Sequence, residues 1–178
     1  MALRKASAYS KKKVRPYTRK STKKKKAFIK AIPQIKIAKY NMGDRKSSDE
    51  GKHPFTVILY SEEKIQIRDT ALEACRMAIN KSLDKQAPGE YYFVVKVYPH
   101  HILRENKIAS GAGADRLSSG MTRSFGVAMG RAAIVNSGKE IFFVSCKTEK
   151  AARIARDSLA MIKSKIPCRS RIVFTKVH

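Results

Sequence analysis

The chain predicts a single α+β domain: a mixed or antiparallel sheet packed by two main helices on one side, with a basic N-terminal extension and a long inserted loop. Three observations predict it. Short β-rich runs separated by turn residues recur from residue 55 onward, two stretches carry apolar residues at helical spacing, and no parallel βαβ array or internal repeat is present. With residues 1 to 43 set aside, about 135 of the 178 residues remain, enough for one domain with a real core and too few for two. The expected division is an arm over 1–30 and a domain over 31–178 that contains the loop at about 101–117.

Taken in order, Ile32 to Tyr40 alternates Ile35 and Ile37 against Lys36 and predicts a short edge strand. Asn41-Met42-Gly43-Asp44 and the polar run to Pro54 predict a surface loop. Phe55 to Tyr60 and Lys64 to Arg68 are β-rich runs joined by Ser61-Glu62-Glu63, a hairpin or a tight corner. Asp69 is placed to cap a helix of about 15 residues, with Thr70 and Glu73 offering a capping box, Leu72, Cys75, Ile79 and Leu83 on one face, and Pro88-Gly89 as the stop. Tyr91 to Tyr98 predicts a strand ended by Pro99. A second helix is expected from Thr148, with Ala155, Leu159, Ile162 and Ile166 at helical spacing before Pro167, flanked by strands at about 132–135, 139–146 and 171–176.

Charge is distributed more unevenly than a formal +25 conveys. Residues 1 to 43 hold fifteen Lys and Arg and no acid; 44 to 90 carry eight bases and nine acids, net −1; 91 to 178 carry sixteen and five, net +11. A stretch like the first repels itself unless a polyanion neutralises it, so it is expected to order on binding. Nucleic acid is the natural partner, the near-neutral middle third is expected to face solvent, and Lys blocks interleaved with Tyr9, Tyr17 and Phe28 add rings that stack on bases or pack against sugars.

Other chemistries find little support. Apolar runs reach about five residues, as in Tyr91 to Val95, against the roughly 20 that span a bilayer. No apolar signal core follows Met1-Ala2-Leu3-Arg4-Lys5, which points to an intracellular protein. Cys75, Cys146 and Cys168 have no C-x-x-C or zinc spacing and read as buried or half-buried thiols of a reducing compartment. His100 and His101 adjoin at the end of a strand, where neighbours face opposite ways, and are contact or core residues rather than a metal pair. Gly111-Ala112-Gly113 begins a dinucleotide fingerprint, yet Arg116 stands where a third small residue belongs, and no phosphate-binding loop with a Lys-Ser or Lys-Thr end occurs. Asp115 beside Arg116 has no second carboxylate in a motif, so no enzyme is expected.

The informative segment runs from residue 98 to 126, where a Pro-terminated strand feeds small residues, Ala109 to Ala114, ringed by Arg104, Lys107, Arg116 and Arg123. Small residues let backbone approach backbone, unhindered N–H groups meet phosphate oxygens, and arginine forks fix orientation. The residues expected to contact RNA are therefore Arg104, Lys107, Gly111, Gly113, Arg116, Arg123, His100 and His101, with Arg4, Lys5, Lys11, Lys12, Lys13, Arg15, Tyr17, Arg19, Lys20, Lys23, Lys24, Lys25 and Lys26 of the arm.

The string from Val97 through Met121, with Pro99-His100-His101, Arg104-Glu105-Asn106-Lys107 and Gly111 to Arg116, closely resembles the archaeal and eukaryotic branch of the universal large-subunit ribosomal protein sixteen family, called ribosomal protein ten-e in archaea. Pro16 to Lys20, Asn41 to Asp44, Ser61 to Arg68 and Ala71 to Ala74 agree in order. The chain departs after Ser124-Phe125-Gly126, where the family usually has Lys-Pro and then Gly-Thr and this chain has Val127 to Arg131. The resemblance implies an α+β hammerhead fold and a non-enzymatic, cytoplasmic, ribosome-bound component of the large subunit. It implies binding to large-subunit rRNA beside the aminoacyl-tRNA path, with the loop matching about Arg104 to Arg116 directed at the peptidyl-transferase centre, and roles in tRNA accommodation and late subunit maturation. The partners it implies are large-subunit rRNA, aminoacyl-site tRNA and neighbouring ribosomal proteins, with no membrane, no homo-oligomer and no cofactor beyond magnesium carried by rRNA. A stand-alone RNA-binding or chromatin-like basic protein is the alternative that composition alone leaves open.

Overall fold

Leu72, Cys75, Ile79 and Leu83 repeat at the spacing that puts side chains on one helical face, and all four are fully buried along helix α2, Asp69–Gln86. In the computed structural model, which describes residues 16–18, 21–106, 111–118, 120–121 and 124–176, this helix packs against a second long one, α4, Glu149–Ile162. Thr148 caps α4, its Oγ1 accepting the Ala151 N–H at 3.2 Å, and Ala151, Ala152, Ala155, Leu159 and Ile162 form its buried stripe. Where the helices touch, the Ser158 hydroxyl lies 2.8 Å from that of Ser82. Two shorter helices, α1 at Arg45–Asp49 and α3 at Ala114–Leu117, lie outside this pair.

The strands among the described residues are β1 Asn41–Gly43, β2 Phe55–Ser61, β3 Ile65–Arg68, β4 Tyr91–Val95, β5 His101–Glu105, β6 Val127–Val135, β7 Glu140–Cys146 and β8 Ser170–Lys176. They divide into two antiparallel sheets, β1-β4-β7-β2-β8 and β3-β6-β5. Ser61-Glu62-Glu63 is accordingly a corner that carries the chain from one sheet to the other, with a register shift just before it between Leu59 and Tyr60. In the larger sheet the register lines up Phe93, Val144 and Val57, and beside them Val95, Phe142 and Leu59. All six are buried, and they meet the helices in one apolar core that also takes in Ile67, Ala133 and Val135 of the smaller sheet. Alternation along each strand supplies this face because successive side chains point to opposite sides.

Several expectations give way here. Ile32 to Tyr40 forms no ladder: the Lys36 N–H donates to Asp69 Oδ2 at 3.1 Å and the Ala38 N–H to Glu73 Oε2 at 3.2 Å. The donors that a partner strand would have satisfied are met by carboxylates of α2's first turns, so Asp69 and Glu73 dock this segment instead of closing a capping box. The edge strand starts later, at Asn41, in the stretch expected to be loop, and α1 follows with Asp44 accepting from the Ser47 N–H at 3.1 Å. The middle third is likewise no mere solvent face, since it supplies α2. Its acids are at work inside the fold: Glu73 holds Arg76 through two bonds of 2.6 and 2.8 Å, and Asp44 holds the Lys147 ammonium at 2.8 Å. The hydrogen bonds from Lys147 and then Ser47 keep the Asp44 carboxyl well below the usual carboxylate range.

The cysteines match the expectation of buried thiols. Cys75 and Cys146 are buried and unbridged, and burial pushes their thiols up to about 11 and about 12, far from the thiolate a nucleophile or metal ligand needs. No helix among the described residues is long and apolar enough to cross a membrane.

Candidate nucleic-acid interface

The informative loop is the connection of an antiparallel pair. Strands β5 and β6 run from His101 opposite Ala132 to Glu105 opposite Val127, and residues 106–126 link their ends. Gly126 closes the link: its φ of +86° is left-handed, and a Cβ there would stand 2.9 Å from the Glu105 carbonyl carbon, so only glycine lets the returning chain pass this close. Within the loop Gly113, φ +75°, precedes the short helix α3. Gly111 and Gly113 have open space around them, so it is backbone conformation and not crowding that calls for glycine there.

Arg104 organises the root of the loop. Its guanidinium carbon lies 3.9 Å from the Tyr17 ring centre and 4.0 Å from that of Phe125, in the notch between two rings set at 74°. Its Nη1 also donates to the Phe125 carbonyl at 3.2 Å, so one side chain ties together both strands' loop ends and the arm. The arm is fastened to the same strand by backbone: the Tyr17 N–H donates to His101 Nδ1 at 2.9 Å, and the Ile102 N–H donates to the Tyr17 carbonyl at 2.9 Å. Further along, Lys24–Lys26 make a single 3-10 turn with exposed side chains, the Lys30 ammonium lies 2.7 Å from the Lys24 carbonyl, and Ala27 and Ile29 are buried. Between those two, Phe28 points outward and stacks on Phe125 with centres 5.3 Å apart.

The residues singled out in the sequence thus fall into distinct places. Lys23, Lys24, Lys25, Lys26 and Arg116 are exposed, with their ammonium and guanidinium groups at the surface, and Gly111 and Gly113 lie on the loop's exposed face. Tyr17 is half-buried and its ring serves the notch rather than standing free for a base. His101 is 3 % exposed and accepts from the arm, which settles its contact-or-core alternative in favour of the core; a ring with no open face has nothing to stack on RNA. His100 is half-buried with Nδ1 2.9 Å from the Tyr98 carbonyl. Arg4, Lys5, Lys11, Lys12, Lys13, Arg15, Arg19, Lys20, Lys107 and Arg123 lie outside the described residues.

Sequence reasoning missed Phe125, the partner that makes the notch, and Arg131, whose Nε donates to the Pro33 carbonyl at 2.7 Å and holds the chain after the arm against β6. Neither has a local signature. Phe125 meets a ring and a guanidinium from positions 17 and 104, and Arg131 reaches back 98 residues. Exposed cations also lie on α4 and β8, at Lys150, Arg153, Arg156, Arg171 and Lys176.

Residues 16–173 match the family model for ribosomal protein L16p/L10e. The large ribosomal subunit protein uL16 of Methanococcus maripaludis (strain C7) is 44 % identical over 177 residues, covering 99 % of this chain and 96 % of that protein. The uL16 proteins of Archaeoglobus fulgidus and Halobacterium salinarum are 40 % and 37 % identical, covering 92 % and 97 % of this chain and 88 % and 95 % of theirs. Matched from the Tyr17 anchor through the strand that closes the large sheet, the chain belongs to the L16p/L10e family of ribosomal proteins.

Proposed function

We propose that this chain is a structural constituent of the large ribosomal subunit that grips large-subunit rRNA with its arm and presents the 106–126 loop toward the aminoacyl-tRNA path and the peptidyl-transferase centre. It catalyses nothing itself. Its family is one of ribosomal components, and its described cysteines and histidines are occupied by the core or by the scaffold. Docking the loop would help accommodate the aminoacyl-site tRNA, and the arrival of the chain would mark a late step of subunit maturation. Neighbouring ribosomal proteins complete its surroundings, and one copy acts alone; magnesium enters only with the RNA.

The observation that carries the reading is shared anchorage. Tyr17 of the arm and Arg104 and Phe125 of the loop meet in one joint, so a cationic arm and a glycine-rich loop leave the domain at the same end. An electrostatic grip placed beside a backbone-rich probe suits seating in folded RNA, because phosphate contacts position while the loop reaches past them.

Sedimentation of a lysate through sucrose in magnesium tests it directly: the chain is expected with large subunits, and recovery at the top of the gradient would refute the assignment. For the arm, removing residues 1–15 leaves the Tyr17 anchor in place and should flatten the salt dependence of rRNA binding, by roughly 0.7 to 0.9 in log–log slope for each phosphate that is no longer neutralised. An unchanged slope would take that segment out of the interface.

A further inference from the structure

Phe28 is 80 % exposed, the most exposed of the large apolar side chains among the described residues, although both its neighbours, Ala27 and Ile29, are buried. Alternation alone turns it outward; what distinguishes it is what lies behind. One face of its ring rests on Phe125 at 5.3 Å and 30° between planes, and the Arg104 guanidinium lies 4.0 Å from the Phe125 ring centre and 3.9 Å from that of Tyr17, in the notch between those two rings. With the buried His101 ring, 5.5 Å from Tyr17, these make a connected set of five side chains that runs from the core to solvent at Phe28.

We propose that the open face of Phe28 is a stacking site for one unpaired nucleobase of the bound RNA. The inference rests on the functional reading above and adds to it a defined site and ligand chemistry. Three features select a base over an apolar protein surface or a lipid chain. The ring is held from behind, so ordering it on binding costs little. Its immediate surroundings are cationic, with Lys24, Lys25 and Lys26 exposed one turn before it and no acid anywhere in residues 1 to 43, which draws the phosphates attached to a base and does nothing for an uncharged partner. Finally, a ring offers its flat face to any base without hydrogen-bond demands.

The chain contains no tryptophan, so Phe28→Trp places a single indole at the site and makes its emission a direct readout in the full-length protein. Emission should be quenched by purified large-subunit rRNA and unaffected by inorganic polyphosphate, which offers phosphates without bases. In parallel, Phe28→Leu keeps the apolar bulk, removes the π face, and should weaken rRNA binding about tenfold at fixed salt with the salt slope unchanged, because the lysines that meet phosphate are untouched. Unaltered affinity of the Leu variant, or equal quenching by rRNA and polyphosphate, would overturn the stacking site while leaving rRNA binding intact. Failure of the wild-type chain to bind rRNA at all would bring down the functional reading and the site with it.

Discussion

The two ends of the molecule are held together by different physics. Around α2, α4 and the five-stranded sheet, stability comes from a continuous apolar core in which Phe93, Phe142, Leu59 and Leu72 have no exposed surface. At the far end of the three-stranded sheet the separate buried cluster among the described residues is Leu103 and Ala132, and the work passes to a guanidinium between two rings, a histidine accepting a backbone N–H and a glycine that permits close approach. Burial is indifferent to direction, whereas the joint at Arg104 is geometric. The loop and arm are therefore positioned by a few oriented contacts rather than by the large core.

That division implies a ranking of effects. Phe142→Ala empties a fully buried site facing Val95 and Leu59 and should cost about 3–5 kcal/mol of global stability, read as a fall in the denaturant midpoint with the m-value kept. A loss under about 1 kcal/mol would mean that the core closes over the gap and is less rigid than its burial implies. Arg104→Met should cost less, about 1–2 kcal/mol, and should do so locally: faster amide exchange in β5 and β6 and around Tyr17, with the global midpoint nearly unmoved. If exchange rose equally in β2 and β7, the two ends would be one cooperative unit and the contrast would fail.

Acid supplies the smallest effect. Asp44 has its folded-state pKa depressed by its bonds from Lys147 and Ser47, so its contribution is fully present above its unfolded pKa, near 4, and is lost as pH falls through the folded value. Asp44→Asn should therefore lower stability slightly at neutral pH, where the contribution is present, and flatten the acid side of the profile below about pH 4, so that variant and wild type converge in acid.

Much of the larger end is legible residue by residue. The stripe from Leu72 to Leu83, Thr148 ahead of α4, and the runs at 55–60, 91–98 and 139–146 are local periodicities, and each element forms within a few residues of where its pattern lies. The segment 32–40 misleads for a reason that is not local: its alternation is real, yet Asp69 and Glu73, 33 and 35 residues ahead of the amides they bind, meet the donors first. Of the interface, the exposed lysines at 23–26 and the glycines of the loop can be read from residue type, because their roles need only charge or a free φ. His101 and Tyr17 can be named but not placed, since being a scaffold or a contact depends on what else arrives at the same spot.

Composition and periodicity are thus enough to establish an α+β chain with a cationic arm, two long helices and a small-residue loop, because helices, strands and net charge are set by neighbours in the chain. The separation into two sheets, the docking of residues 36–38 on α2 and the connected set from His101 to Phe28 are settled by folding alone. Each joins groups tens of residues apart, and a pairing whose members are remote in the chain leaves no spacing in the amino-acid order from which it could be read.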